Sequence, residues 1–133
     1  MSDGFIIKKG GSGGDKDYSD FKAFVDRSIT NVTAEMLQGV TSIGSSVFSH
    51  CTSLTSITIP NSITSIGNNA FYYCSSLTSV TVKATTPPTL GYITFYGVSQ
   101  NLVIYVPAES VDAYKAANNW STYADKIQAI PNN

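Results

Sequence analysis

The sequence predicts a mostly β fold with short helices: a repeat solenoid of about three coils between helical N- and C-terminal caps. Three observations predict it. Residues 43 to 82 contain a repeat with a period of 23 residues, and self-similarity at a fixed period of about 20–50 residues marks a chain of stacked, similar units. Within each copy, apolar residues alternate with threonine, the period-two signature of a half-buried strand. Residues 36 to 82, 47 in all, contain no Asp, Glu, Lys or Arg. A stretch that long without charge fits a chain whose backbone is paired on both sides, with hydroxyls supplying its polar surface.

The repeat aligns residue by residue. Ile43 recurs as Ile66, Gly44 as Gly67, Phe48 as Phe71, Cys51 as Cys74, Leu54 as Leu77, Ile57 as Val80 and Ile59 as Val82. Val40-Thr41-Ser42-Ile43-Gly44 matches Ile63-Thr64-Ser65-Ile66-Gly67, so the repeats run from residue 40 to 107. The chain then divides into an arm and Gly-rich linker (1–16), a capping helix with its lead-in (17–39), the repeats, and a C-terminal cap (108–133).

The length of 133 residues suits one domain. Net charge is −1 and only 13% of residues are charged, about half the usual share. Nucleic acid is not an expected partner, because a phosphate-binding surface needs clustered Lys and Arg. No apolar run approaches the roughly 20 residues of a membrane span, so no membrane insertion is expected. Phe5-Ile6-Ile7 is too short for a signal-peptide core, and the lysines follow it. The expectation is a chain without a signal peptide.

Gly10 to Gly14 lack the side chains to build a core and read as a flexible linker. Their spacing does not fit a phosphate-cradling loop. The arm is expected to attach to another structural protein or to itself, which makes a homo-oligomer one form of the assembly. In Asp17 to Ile29, Asp17 or Ser19 can cap a first turn. Phe21, Phe24, Val25 and Ser28 then share a face, which predicts a helix over 18–28 covering the first coil. Asp15, Asp17, Ser19 and Asp26 do not make a calcium loop: Asp20 stands where the turn glycine belongs and Asp26 where Glu is expected.

In each coil, Leu54 to Ile59 reads as a strand ended by Pro60-Asn61. Ile63 to Ile66 reads as a second short strand. Gly67 is expected to turn the chain, and Asn68 to Cys74 to form a bend or helical turn with Phe71 and Cys74 inward. One coil buries too little apolar surface to offset its ordering entropy, so stability must come from stacking.

The pattern I-G-x-x-A/V-F-x-x-C-x-S-L-T-S-I/V-T-I/V resembles the BspA-type leucine-rich repeat, a bacterial and protist class, over roughly residues 29 to 130. The resemblance implies a leucine-rich-repeat solenoid. Its LxxIxI segments would form one parallel sheet and its Ile-Thr-Ser-Ile segments would line the opposite side. The tail resembles the family's C-terminal cap. Leu90-Gly91 and Phe95 restate Ile-Gly and Phe, with Val98 in place of Cys, and Leu102, Ile104 and Val106 restate the strand. After Pro107, Val111, Tyr114 and Ala117 share a helix face, while Trp120, Ile127 and Ile130 are expected to close the core with Trp120 as plug.

Candidates for chemistry are few, and no enzyme is expected. His50 is the only histidine. Its repeat position is Tyr73 in the next coil and faces out, whereas adjacent Cys51 faces in, so no nucleophile–base pair forms. Cys51 and Cys74 occupy equivalent positions in coils about 4.8 Å apart, a span that a disulfide allows. Buried thiols are the favoured reading, since Cys packs as a small hydrophobe and the family uses it so. Too few ligands exist for zinc, no carboxylate pair sits on the repeats, and no cofactor is expected.

Surface recognition remains. Stacking aligns Thr55 with Thr78, Ser56 with Ser79 and Thr58 with Thr81, a hydroxyl face ending near Lys83 and Tyr105. The bend offers His50, Tyr72, Tyr73, Tyr92 and Tyr96, aromatics with polar tips. The candidate binding residues are Thr55, Thr58, Ser79, Thr81, Tyr105, His50, Tyr72 and Tyr73. The resemblance implies surface adhesion or protein recognition. The expected function is a non-catalytic module contacting protein or glycan on a cell surface. Its expected setting is a phage virion appendage or decoration protein anchored by the arm, hence on the virion surface. The alternative is a fragment of a secreted adhesin on the bacterial cell surface.

Overall fold

The computed structural model describes residues 27–131. The arm and most of the helix expected over 18–28 lie outside that range; residues 27 and 28 form a turn. The described chain is mostly strand with a few short helices. Its strands are β1 (Asn31–Val32), β2 (Ser42–Ile43), β3 (Ser56–Ile59), β4 (Ser65–Ile66), β5 (Ser79–Val82), β6 (Thr89–Leu90), β7 (Val103–Val106) and β8 (Ile127–Ala129). They form two sheets, one in the order β1-β3-β5-β7-β8 and one in the order β2-β4-β6. Every pairing is parallel. The chain alternates between the sheets from β1 to β7 and advances one strand per repeat.

Register follows the repeat. Ile57 pairs with Val80 and Ile43 with Ile66, each 23 residues on. Val80 then pairs with Ile104 and Ile66 with Leu90, each 24 residues on. The long strands alternate half-buried and buried residues. The inward side chains of both sheets merge into one apolar cluster. Phe48, Phe71 and Phe95 stack through it, with centroids 5.4 Å apart and planes within 2°.

The segment around Phe48, and its copies, is neither helix nor strand. It is a run of turns with two left-handed residues per copy: Ser46 and His50, Asn69 and Tyr73, Ile93 and Gly97. This conformation aims amides along the stack, where the next repeat accepts them. Ser46, Phe48 and His50 donate to the carbonyls of Asn68, Ala70 and Tyr72; Asn69, Phe71 and Tyr73 donate to Tyr92, Thr94 and Tyr96. Buried backbone groups must be paired, and here the neighbouring repeat pairs them.

Gly67 differs from expectation. It has no positive φ and is not needed as a conformational hinge. A Cβ there would lie 2.6 Å from the Ser45 amide nitrogen and 2.8 Å from the Gly44 carbonyl carbon. Glycine is required because adjacent backbones touch. Gly91 repeats this, with its Cβ position 2.5 Å from the Asn68 nitrogen and 2.7 Å from the Gly67 carbonyl carbon.

The tail holds a 3-10 turn (Ala108–Ser110), the helix α1 (Val111–Ala116) and a 3-10 segment (Trp120–Lys126) before β8. Trp120 and Tyr114 are fully buried, but Ile130 is only half-buried. β8 was not expected; it pairs Ile127 with Ile104, and 104 plus 23 is 127. The tail also staples the 84–90 segment through side chains. Tyr114 Oη donates to Ala84 O at 2.6 Å, Ser110 Oγ to Thr85 O at 2.7 Å, Trp120 Nε1 to Pro88 O at 2.8 Å and Asn119 Nδ2 to Leu90 O at 2.7 Å.

Candidate binding surfaces

The hydroxyl residues occupy the outer face of the five-stranded sheet in two rows. Asn31, Ser56, Ser79 and Val103 are in register, as are Thr58, Thr81, Tyr105 and Gln128. Ser79, Thr58, Thr81 and Tyr105 are half-buried. Ser56 Oγ lies 2.6 Å from Asn31 Oδ1, so part of this face bonds to itself. Thr55 belongs to neither row. Its hydroxyl donates to Thr30 O at 3.0 Å, and its carbonyl accepts from the Thr78 hydroxyl at 3.3 Å. Thr64 and Thr89 build a matching ladder on the other sheet. These threonines tie repeats together.

The aromatic residues come together at the turns. His50 stacks on Tyr73 at 5.6 Å, and Tyr72 stacks on Tyr96 at 5.6 Å. Edge contacts at 4.7 to 5.8 Å join the two columns. The Tyr73 ring lies over Gly97, whose Cβ position would be 2.4 Å from Tyr73 Cδ1. Neighbouring Tyr96, then burial, then Tyr72 raise the Tyr73 hydroxyl above its ordinary 10.0, so it remains a hydrogen-bond donor at neutral pH. Tyr73 and Tyr96 are 41% and 53% exposed, and Tyr92 stands beside this cluster at 68%. Large exposed aromatics with polar tips are the kind of side chain that contacts favour. The structure thus gathers His50, Tyr72 and Tyr73 into one cluster with Tyr96, on a different face from the hydroxyl rows.

The cysteines are in no disulfide and both are buried. The Cys74 thiol donates to Phe48 O at 3.0 Å, and burial pushes it up to about 12. Arg27 Nη1 donates to Val47 O at 3.3 Å and lies 3.4 Å from Cys51 Sγ. Among the described residues, no three His, Cys, Asp or Glu side chains converge, and no helix is long and apolar enough to cross a membrane.

One feature escaped the sequence. A groove of about 610 Å³ opens where the stapled 84–90 segment meets the tail. Its signals were present as the Thr85-Thr86-Pro87-Pro88 run and the single extra residue in that repeat. Neither says that side chains from residues 110–120 would hold the loop open.

A family model described as "BspA type Leucine rich repeat region (6 copies)" matches residues 20–121. No curated protein matches the chain.

Proposed function

The chain belongs to the BspA-type leucine-rich repeat family, and from that premise we propose a non-catalytic binding module displayed on a surface, contacting protein or glycan on a cell. The family supports a protein-binding or surface role. The aromatic cluster of His50, Tyr72, Tyr73 and Tyr96 carries the reading, because it presents rigid rings with polar tips. In this reading the two-sheet stack is a short solenoid capped at both ends, by a helix before it and by the short helices and β8 of the tail after it, since end repeats would otherwise expose their apolar interiors. Its finer form is a phage virion appendage tethered by the segment before residue 17. The Gly10–Gly14 run supports a tether, because flexible linkers let a rigid unit search for its target.

Labelling intact bacterial cells of several strains with fluorescent protein tests the binding role. The expected outcome is saturable labelling of some strains, lost at least about tenfold in a Tyr72→Ala plus Tyr73→Ala variant of unchanged melting temperature. Undiminished labelling by the variant would move the contact to the threonine rows. Antibody labelling of purified phage particles, compared with the bacterial surface, separates a virion appendage from a secreted adhesin.

A further inference from the structure

We propose that the groove beside the 84–90 segment is a second binding site, selective for a carboxylated sugar unit of the uronic acid type. Its volume, about 610 Å³, lies in the range of small-molecule sites, about 300–1,000 Å³. Pro87, Pro88 and Leu90 supply an apolar part of its wall. Thr86 and Asn118 supply groups that both donate and accept hydrogen bonds, and the Thr64 hydroxyl, which donates to Thr41 O, can still accept. A ligand rich in hydroxyls satisfies such walls, because hydroxyls also do both. Lys83 is the only charged residue lining the groove among the described residues. It is exposed, and its ammonium has no ion-pair partner among the described residues. A single cation fits one carboxylate. A lone Lys can also hold a phosphate as a point charge, but the doubly charged group is better matched by several cations or an Arg fork, and neither lines the groove among the described residues.

Two observations separate this ligand from an extended peptide. β6 is the free edge of the three-stranded sheet, where an added strand would bond to the outward carbonyls of Pro88 and Leu90. Those carbonyls are already taken by Trp120 Nε1 and Asn119 Nδ2. The same bonds, with those of Tyr114 and Ser110 to Ala84 and Thr85, hold the wall in place before any ligand arrives. Preorganisation of this kind spares a ligand the cost of ordering its site.

The test is an NMR titration of the full chain with sodium glucuronate, glucose and sodium acetate in parallel. Glucuronate is expected to give saturable amide shifts at residues 83, 85, 86 and 118, binding about tenfold or more tightly than either control. Lys83→Gln, an exposed change, should weaken glucuronate about tenfold and leave glucose unaltered. Asn118→Ala should weaken both sugars. Absence of saturable shifts, equal binding of acetate, equal binding of glucose, or an unaffected Lys83→Gln variant would each overturn the assignment. The Tyr72→Ala plus Tyr73→Ala variant should titrate as wild type. The groove can therefore fail without touching the aromatic cell-binding site, and the reverse holds too.

Discussion

At the scale of single residues, equivalent positions in successive repeats are held by different physical demands. Gly67 is fixed by backbone contact with the preceding repeat. Gly67→Ala should destabilise by about 1–3 kcal/mol, the cost of overpacking, measured by urea unfolding. Gly97 is fixed twice, by φ +80° and by the Tyr73 ring above it. Gly97→Ala should cost about 1–2 kcal/mol for the left-handed backbone and should also displace the Tyr73 ring, visible as shifted Tyr73 and His50 NMR signals. His50 and Tyr73 take the same left-handed conformation without being glycine. Strain of that kind persists only where neighbours over-determine it, and here the inter-repeat amide bonds do so. The sequence revealed that these positions repeat. It did not reveal their backbone state, because Ser, Asn, His, Tyr, Ile and Gly share no local signal for it.

At the scale of elements, no strand stands alone. β2, β4 and β6 have two residues each, far below what an isolated strand needs. Their bonds run to neighbouring repeats and their inward residues share one core. The phenylalanine column is the axis of that core. Phe71→Ala should therefore cost about 3–5 kcal/mol, more than Phe48→Ala or Phe95→Ala, because among the described residues Phe71 alone has a stacked ring on both faces; chemical denaturation of the three variants checks the order. The tail works by another means, with Ser110 and Tyr114 pairing carbonyls of the loop before β6, and Asn119 and Trp120 pairing those at its edge. Trp120→Phe keeps a ring but strands Pro88 O, and should cost about 1–3 kcal/mol. The loss should appear as faster amide exchange in residues 84–90. Trp120 was legible as a plug because one large aromatic follows the last helical pattern. The hydrogen bonds of Ser110 and Asn119 were not, since polar residues in a tail carry no sign of which carbonyl they will meet.

At the scale of the whole molecule, two buried groups make stability depend on pH at the alkaline end. Burial pushes the Cys74 thiol from 9.0 up to about 12, and burial also raises the Tyr114 hydroxyl above 10.0. Raised values mean that the native state holds these protons more tightly than the unfolded chain. Their contribution is complete below pH 9 and is lost as pH rises from 9 towards 12. The melting temperature under reducing conditions should fall above about pH 9, with a shallower early fall in Cys74→Ala; an identical slope in that variant would remove Cys74 from the explanation. By itself, the sequence determined the repeat, its inward set and the pairing of like with like, because a period of 23 can be satisfied only by stacking equivalent residues. It also contained β8, at one period past Ile104, in a segment that reads as a cap. Only the tertiary structure decided which surface residues meet. Rings 23 or 24 residues apart join into one cluster, Thr55 also ties one repeat to the next, and a loop held open by four distant side chains frames a groove. Those outcomes depend on directions and distances between neighbouring repeats, and a one-dimensional pattern records only that neighbours exist.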